Sequence, residues 1–246
     1  MKRLIIAAAA FAALGTAAQA QTVRLATEGA YAPWNFIDES GAAAGFEIDL
    51  GNEICSRAGL TCEWVITAWD TMIPNLLAGN YDVIMAGMSI TEERLQSIDF
   101  SDEYYPPDPS LYAVREGAAV DFDAASGLRL GAQTGTIQEG YLQATFAGSN
   151  TIVSYATFDQ AVADLIAGNL DAVLADAGYI LPIVAAGQGL EIAGPEVSVG
   201  GGVGGGMRKE DDDLEAAFNA AIASMKADGS LNALITEWFD VPNTFD

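Results

Sequence analysis

The chain has 246 residues, 51% of them hydrophobic, and its 10 basic and 34 acidic residues give a formal net charge of −24. So acidic a surface repels nucleic acid and anionic lipid, and we expect no nucleic-acid partner. The sequence has no histidine, which excludes imidazole-based catalysis and the usual zinc sites, and we expect neither a metal nor a cofactor. The acidity itself fits a saline habitat as well as it fits attraction of small cations.

The first 20 residues have the features of a secretory signal peptide. Lys2 and Arg3 precede an apolar run over 4–18, and Ala18-Gln19-Ala20 offers a small-x-small cleavage pattern. A membrane anchor is the alternative, but the run is short for a bilayer span. We therefore expect export, cleavage before Gln21 and a monomer that works in the periplasm.

Short apolar strands and amphipathic helices then alternate along the chain. The pattern predicts a strand over 23–26, a helix over 46–58, a strand over 62–66, a helix over 70–78 and a strand over 83–85. Phe46, Leu50 and Ile54 share the apolar face of the first helix, with Glu47 elsewhere. This βαβαβ order is typical of an α/β lobe.

Cys55 and Cys62 are the two cysteines of the chain. In an exported protein without histidine, this pair predicts a disulfide rather than a metal site. The bond would pin the end of the first helix against the strand that follows it. A disulfide that closes so short a loop contributes about 2 to 3 kcal/mol to stability.

A seven-residue pattern occurs twice. Leu76-Leu77-Ala78-Gly79-Asn80-Tyr81-Asp82 recurs 89 positions later as Leu165-Ile166-Ala167-Gly168-Asn169-Leu170-Asp171, and an apolar strand follows each copy. Each copy joins a helix end, a Gly-Asn stop and a strand. Chance repetition of helix-stop chemistry is the alternative. We interpret the repeat as evidence of two similarly built lobes.

The second half repeats the alternation of the first. Strands are predicted over 128–132, 151–154 and 172–175, with helices over 136–146 and 158–167 between them. Two further helices, over 211–226 and 231–239, should pack back onto the first lobe. The predicted division is therefore 21–106 with 204–246 for the first lobe and 107–203 for the second.

Two segments are predicted to connect the lobes. Residues 104–109 read Tyr-Tyr-Pro-Pro-Asp-Pro, which requires an extended connector. Residues 200–206 contain six glycines, which favours a return crossing where backbones approach closely. A floppy loop is the alternative for the second segment.

Polar residues follow the last strand of each series. Ser89 and Arg94 follow the strand over 83–85, and Asp176 follows the strand over 172–175. A hydroxyl and a guanidinium that face a carboxylate across a cleft would suit a zwitterion. Alternatively, Arg94 pairs with Glu92 or Glu93 at the surface, and Asp176 is a simple helix cap.

The segment Thr134-Gly135-Thr136-Ile137-Gln138 lies at a strand-to-helix junction of the second lobe. Unpaired backbone N–H groups at such a junction form an anion site, with the Thr136 hydroxyl alongside. Helix capping by Thr134 or Thr136 is compatible with this interpretation.

Aromatic residues and one acid occur at strand ends of the first lobe. Tyr31 and Trp69 could clamp an elongated side chain and attract a positive one. Glu28 would place a carboxylate at the far end of that slot. Alternatively, the aromatic residues belong to the core of the lobe, an interpretation that fits Trp34 better than Tyr31 or Trp69. The alternative for Glu28 is a solvated position at the surface.

Several motifs in order resemble one known family. They are Tyr31-Ala32-Pro33-Trp34, Gly-Phe-Glu-Ile-Asp-Leu over 45–50, the paired cysteines, Ser-Ile-Thr-Glu-Glu-Arg over 89–94, Gly-Thr-x-Gln over 135–138 and Met-Arg-Lys-Glu-Asp over 207–211. Together they resemble the periplasmic polar amino-acid-binding proteins of ABC importers, solute-binding protein family 3, in the branch for lysine, arginine, ornithine, histidine and opines. The resemblance covers essentially all of the chain after the signal peptide.

The resemblance implies an α/β fold of the two-lobed periplasmic-binding-protein kind (type II), with two βα sandwich lobes joined by two hinge strands. It also implies a role for each candidate residue. Arg94 and the Thr136 backbone would hold an α-carboxylate, and Asp176, Ser89 and the Gly87 carbonyl would take an α-ammonium group. Tyr31 and Trp69 would clamp the side chain, Glu28 would meet its positive end, and Ala86 and Gln138 would complete the ligand-binding set.

The sequence departs from that family at three positions. Ala86 and Gly87 stand where binders of basic amino acids often have serine, and Ile137 stands where a second hydroxyl is common. The site should be less polar and roomier, which leaves space for an opine. Asp176 nevertheless favours an unsubstituted ammonium group.

We therefore expect a binding protein, not an enzyme, that delivers a cationic L-amino acid to an ABC permease. Arginine is the first expectation, followed by lysine, ornithine and histidine. One alternative ligand class is an opine or a polar uncharged amino acid. Another function is a periplasmic dehydratase of the cyclohexadienyl type, with Glu28 or Asp176 as acid or base. The ligand-binding half of a sensor is a third alternative.

Overall fold

A computed structural model describes residues 22–241 and 244–245 of the chain. The signal peptide predicted over 1–20 lies outside the described residues. Within the described residues, no helix has the length and apolar character needed to cross a membrane.

The first part of the chain forms seven strands and two α-helices, with short 3-10 turns at Trp69–Thr71 and Arg94–Gln96. In chain order they are β1 (Thr22–Thr27), β2 (Ala30–Tyr31), β3 (Asn35–Ile37), β4 (Ala43–Ala44), α1 (Phe46–Ala58), β5 (Thr61–Ile66), α2 (Met72–Leu77), β6 (Val83–Ile84) and β7 (Asp99–Phe100).

The middle part and the C-terminal segment follow. The elements of the middle part are β8 (Ser110–Arg115), β9 (Arg129–Gln133), α3 (Ile137–Phe146), β10 (Thr151–Tyr155), α4 (Phe158–Ile166), β11 (Ala172–Asp176), α5 (Ala177–Ala185) and β12 (Leu190–Val197). The C-terminal segment contributes β13 (Gly206–Met207), α6 (Asp212–Asp228) and α7 (Ser230–Phe239).

The strands form two five-stranded sheets and one small sheet. The first has the order β5-β1-β6-β13-β7 and the second the order β10-β9-β11-β8-β12, whereas β2, β3 and β4 pair with one another. In the first sheet β1 is parallel to β5 and β6, and β13 is antiparallel to β6 and β7. In the second, β9 is parallel to β10 and β11, and β8 is antiparallel to β11 and β12. We call each sheet with its helices lobe 1 and lobe 2.

The predicted helices and parallel strands are present, and α1 begins and ends at the predicted residues. Its Phe46, Leu50 and Ile54 are fully buried, and α6 and α7 pack against it as expected. A disulfide joins Cys55 of α1 to Cys62 of β5. The sequence did not indicate β8, α5 or β12. The two strands pair antiparallel with their neighbours, so they fall outside the parallel βα pattern on which the prediction rests.

The two segments that connect the lobes run side by side. The Tyr104 N–H donates to the Val203 carbonyl, and the Val203 N–H donates to the Tyr105 carbonyl, both at 2.8 Å. A side chain on Gly202 would approach the Tyr105 carbonyl to 2.9 Å, so glycine is needed for this pairing. The glycine-rich segment is therefore not a floppy loop. The division of the chain into 21–106 with 204–246 for the first lobe and 107–203 for the second stays a prediction.

An arginine–aspartate pair explains the last residue of each repeat. In lobe 1 the backbone N–H and Nε of Arg24 donate to Asp82 Oδ2 at 2.9 and 3.1 Å, and its Nη2 donates to Oδ1 at 3.0 Å. In lobe 2 Arg129 makes the same three bonds to Asp171, at 2.8, 3.2 and 2.9 Å. Each pair fastens a strand next to the centre of its sheet, β1 or β9, to the turn that precedes the central strand, β6 or β11.

A second arginine binds the helix-to-strand turn of each repeat. Arg208 Nη1 donates to the carbonyls of Leu76 and Tyr81 in lobe 1. Arg115 Nη1 donates to the carbonyls of Leu165 and Leu170, which are the equivalent repeat positions in lobe 2. Because the contacts match in both lobes, the repeat reflects equivalent structure rather than chance.

Candidate functional site

A small cavity lies between the two lobes. Its lining is Glu28, Tyr31, Trp69, Ala86, Gly87, Ser89 and Arg94 from lobe 1 with Gln133, Thr136, Ile137, Gln138, Phe158 and Asp176 from lobe 2. The structure thus brings together all ten residues predicted as ligand-binding. Their contacts with a ligand stay a prediction.

The topology explains why these residues meet. Glu28 follows β1, Trp69 lies beyond β5, and Ala86 and Gly87 follow β6, while Gln133 and Asp176 end β9 and β11. Those five strands run parallel within their sheets, so their carboxyl ends meet at one edge. Open α/β sheets bind ligands at this edge.

Arg94 is fixed by neighbours on its own segment. The Thr91 hydroxyl accepts a 3.1 Å hydrogen bond from the Arg94 backbone N–H, and Arg94 Nη1 donates to the Ser89 carbonyl at 2.8 Å. The guanidinium carbon lies 5.3 Å from the centre of the Trp69 ring, a cation–π geometry. These contacts hold the guanidinium against the cavity.

The Arg94 guanidinium is not paired with a carboxylate of the residues that the structure describes. Within the described residues Arg94 forms no salt bridge, so pairing with Glu92 or Glu93 is wrong. Burial lowers the pKa of Arg94 to about 10, although Asp176 and Glu93 act in the opposite direction. A partly buried cation without a counter-ion, facing a cavity, favours the binding of an anion.

Thr136 caps helix α3 on the opposite wall. Its hydroxyl accepts from the Glu139 backbone N–H at 3.2 Å and donates to the Gln133 carbonyl at 2.7 Å. The Thr136 hydroxyl therefore caps the helix, a role that the sequence analysis found compatible with an anion site at this junction. The first-turn N–H groups of Ile137 and Gln138 have no acceptor within the helix, as the predicted anion site requires.

Asp176 points into the cavity rather than capping α5. Helix α5 has no side-chain cap from Asp176. Instead its Oδ1 accepts from Gln138 Nε2 at 2.6 Å and from the Ser110 hydroxyl at 3.5 Å, and its Oδ2 accepts from the Tyr31 hydroxyl at 2.7 Å. Burial raises the pKa of Asp176, with Tyr31 and Arg94 opposing the shift. The helix-cap interpretation is therefore wrong.

The side-chain amide of Gln138 orients the carboxylate of Asp176. Its Nε2 donates to Asp176 Oδ1 and, at 3.0 Å, to the Ser110 hydroxyl. Gln138 is 2% exposed, so its position is fixed by packing as well as by these bonds. Gln138 lines the cavity as predicted and orients a carboxylate there.

Glu28 and Gln133 form the other end of the cavity. Gln133 Nε2 donates to Glu28 Oε1 at 2.5 Å and to the Ala156 carbonyl at 2.9 Å. Glu28 is 9% exposed, so the alternative interpretation of Glu28 as a solvated surface residue is wrong. Burial raises its pKa to about 7; the Gln133 hydrogen bond lowers it, and Asp159 and Asp70 raise it.

Aromatic rings form the wall between these two ends. The Tyr31 ring stacks on Tyr179 with 4.5 Å between centroids, and Phe158 lies 5.5 Å from Tyr31. Tyr179 is held in turn by a 2.7 Å hydrogen bond to Asp159. Trp34 is 1% exposed. It belongs to the core of the lobe, which is the interpretation that the sequence analysis favoured for this residue.

A buried carboxylate supports the site from behind. Glu47 of α1 is fully buried; its Oε1 accepts from the Gly87 N–H at 2.7 Å and the Tyr104 hydroxyl at 2.5 Å. Its Oε2 accepts from Asn35 Nδ2 at 2.9 Å, and Asn35 Oδ1 accepts from the Gly29 N–H at 2.8 Å. Burial raises the pKa of Glu47 to about 7. Glu47 thus fixes backbone next to Glu28 and at Gly87.

Four residues at or behind the cavity, Gln133, Ile137, Phe158 and Glu47, were not among the ten predicted as ligand-binding. Gln133 is the last residue of a buried strand, as Asp176 is, and that shared position is a signal that could have identified it. Ile137 and Phe158 have ordinary apolar patterns. Glu47 was placed off the apolar face of its helix, and only tertiary contacts reveal its burial.

The family of bacterial extracellular solute-binding proteins, family 3, matches residues 23–241. The chain belongs to this family. Among its family 3 relatives, the lysine/arginine/ornithine-binding periplasmic protein of Escherichia coli (strain K12) is 37% identical, over 98% of this chain and 98% of the relative.

Solved structures agree with the assignment to family 3. A periplasmic His/Glu/Gln/Arg/opine family-binding protein from Silicibacter pomeroyi, in complex with lysine, is 51% identical with a TM-score of 0.81, over 88% of this chain and 96% of that one. An ancestral amino-acid-binding protein described as a precursor of cyclohexadienyl dehydratase is 28% identical with a TM-score of 0.80, over 89% and 95%. The expected type II periplasmic-binding-protein fold is confirmed.

Proposed function

We propose that this solute-binding protein captures a cationic L-amino acid between its two lobes, with arginine first, then lysine, ornithine and histidine. The observation that carries the proposal is the set of charges on the cavity wall. The lining contains one guanidinium, Arg94, and two carboxylates, Glu28 and Asp176. A ligand with one carboxylate and two cationic groups complements this set, and a cationic amino acid is such a ligand.

Each end of the ligand then has matching groups. The α-carboxylate lies between Arg94 and the N-terminus of α3, where a guanidinium and free N–H groups converge. The α-ammonium group meets Asp176, the Ser89 hydroxyl and the Gly87 carbonyl. The side chain passes between Tyr31 and Trp69, and its terminal cation reaches Glu28. The lysine complex of the relative from Silicibacter pomeroyi supports this class of ligand.

The protein delivers its ligand to an ABC permease after export through a cleavable signal peptide, and it acts as a periplasmic monomer. The periplasmic relative from Escherichia coli supports this location. Two lobes joined by two paired segments also suit a hinge that closes on a ligand.

A dehydratase on the same fold is the second candidate function. Glu28, with a pKa raised to about 7 by burial, has the acidity of a general acid or base. Against this role, Glu28 and Asp176 are already matched by the two cations of the proposed ligand. Turnover of a prephenate-like substrate by the purified protein would favour the enzyme.

Calorimetric titration tests the proposal. The protein is unfolded and refolded to remove any co-purified ligand, shown to be folded, and titrated with arginine, lysine, histidine, glutamine and octopine. Tight binding confined to cationic ligands supports the proposal and ranks them. Binding of octopine or glutamine alone would show that the ligand is an opine or a polar uncharged amino acid instead of a cationic one. Binding of none of the five would overturn the proposal.

A further inference from the structure

Two side-chain hydrogen bonds cross the cleft within the described residues, one at each end of the cavity. Tyr31 of lobe 1 donates to Asp176 of lobe 2 at 2.7 Å. Gln133 of lobe 2 donates to Glu28 of lobe 1 at 2.5 Å. The second bond joins a neutral amide to the carboxylate proposed to meet the ligand's terminal cation.

The hydrogen bonds of Gln133 fix which way its amide faces. Nε2 donates to two acceptors, Glu28 Oε1 and the Ala156 carbonyl, so both of its N–H groups are used. Two oxygens of the pair remain, Gln133 Oε1 and Glu28 Oε2, and neither accepts a hydrogen bond from the residues that the structure describes. Gln133 is 2% exposed and Glu28 9% exposed, and both line the cavity.

We infer that Gln133 is a specificity-determining residue whose Oε1, together with Glu28 Oε2, receives the N–H donors of the ligand's terminal cation. This inference rests on the proposed function and deepens it. We call these two oxygens the two-acceptor site. A ligand with an ammonium or guanidinium group satisfies both oxygens, whereas an apolar side chain of equal length leaves them buried and unpaired.

The two-acceptor site also links recognition to closure. Glu28 follows β1 of lobe 1 and Gln133 ends β9 of lobe 2, so the two oxygens come together only when the lobes meet. A ligand that fails to satisfy both therefore opposes the closed arrangement. The two-acceptor site therefore discriminates between ligand side chains in the closed state of the protein, and not when the ligand first meets one lobe.

The test compares lysine with norleucine, which has the same chain length and lacks the ammonium group. Calorimetry on Gln133→Leu should show lysine bound at least tenfold more weakly than by the unsubstituted protein. Norleucine should bind equally well or more tightly, because one unpaired acceptor is gone. The lysine-to-norleucine affinity ratio should therefore fall at least tenfold. Gln160→Leu removes an exposed amide from α4 and should leave the ratio unchanged.

Each outcome has a distinct meaning. An unchanged ratio in Gln133→Leu, or an equal loss for both ligands, would overturn the role of Gln133. If Gln133→Leu does not fold, Gln133→Met offers a near match in size without hydrogen-bonding groups. No binding of any cationic amino acid by the unsubstituted protein would overturn the proposed function itself, and with it this inference. Normal lysine binding with an unchanged ratio would sink only the inference.

Discussion

The hydroxyl of Tyr31 donates a 2.7 Å hydrogen bond to Oδ2 of Asp176, across the cleft and 145 positions away in sequence. The other side-chain partners of Asp176 are Gln138 and Ser110. All three are neutral donors, so they orient the carboxylate without cancelling its charge. An ammonium group of a ligand would supply the missing positive charge.

Arg94→Ala should reduce the affinity for every amino-acid ligand at least about 30-fold. Removing one partner of a buried charge pair leaves the ligand carboxylate uncompensated, which costs about 2 to 5 kcal/mol. Calorimetry with arginine and lysine measures the loss. Lys226→Ala, which removes a positive charge from α6, is the control and should bind normally. A loss below about tenfold, or 1.4 kcal/mol, would remove Arg94 from the carboxylate role.

Lysine affinity should depend on the ionisation of Glu28. Since burial raises the pKa of Glu28 to about 7, this carboxyl is largely protonated below that pH and cannot pair with a cation. Affinity should therefore rise up to about tenfold per pH unit from pH ~5 to ~7 and then level off. Calorimetry across this range measures the profile.

Glu28→Gln is the matched variant for that profile. It should lower the affinity for arginine and lysine at pH ~8, spare glutamine and flatten the pH dependence, because the titrating group is gone. Equal losses for lysine and glutamine, or an unaltered profile, would refute the contact of Glu28 with the terminal cation.

Gly87→Ala should weaken binding as well as folding. Gly87 has φ +65°, and a Cβ there would lie 3.3 Å from Cε1 of Tyr31. Gly79 has φ +75° with nothing within 4 Å of an added Cβ, so Gly79→Ala carries the backbone strain alone. Both variants should lose about 1 kcal/mol or more of unfolding free energy. Only Gly87→Ala should lose tenfold or more in lysine affinity, and equal binding by both variants would contradict this.

Glu47 should make the protein less stable as pH rises. Burial raises its pKa from 4.5 to about 7, so the folded state binds the proton more tightly than the unfolded chain does. The free energy of unfolding should fall through this interval by up to about 3 kcal/mol. Denaturant unfolding at pH ~5 and ~8 measures the difference. Glu47→Gln should reduce it, whereas Glu53→Gln, a change at a half-exposed carboxylate of the same helix, should not.

The disulfide between Cys55 and Cys62 should leave no free thiol in the unfolded, unreduced protein. Reduction, or the double change Cys55→Ser with Cys62→Ser, should lower the unfolding free energy by about 2 to 3 kcal/mol, because the unfolded chain gains freedom. Thiol titration and denaturant unfolding measure the two effects. A titre of two thiols per chain in the untreated protein would contradict the bond.

Much of the fold could be predicted because its signals are local. The 3.6-residue period of α1, the proline-rich connector and the Gly-Asn stops each depend on neighbouring residues alone. The repeat then indicated equivalent lobes, and Arg24 and Arg129 confirm it through identical pairs with Asp82 and Asp171. Strand ends also indicated which residues would converge, since parallel strands share one edge.

What the sequence by itself determined is therefore the parallel strands, most of the helices, the division into two lobes and the residue types at the strand ends. Only the tertiary structure decided how those residues are partnered. Glu28 and Gln133 are 105 positions apart, and no local pattern reports that one holds the other. The burial of Glu47 and the absence, among the described residues, of a salt bridge to Arg94 have the same origin, because burial and charge partners depend on which distant segments pack together.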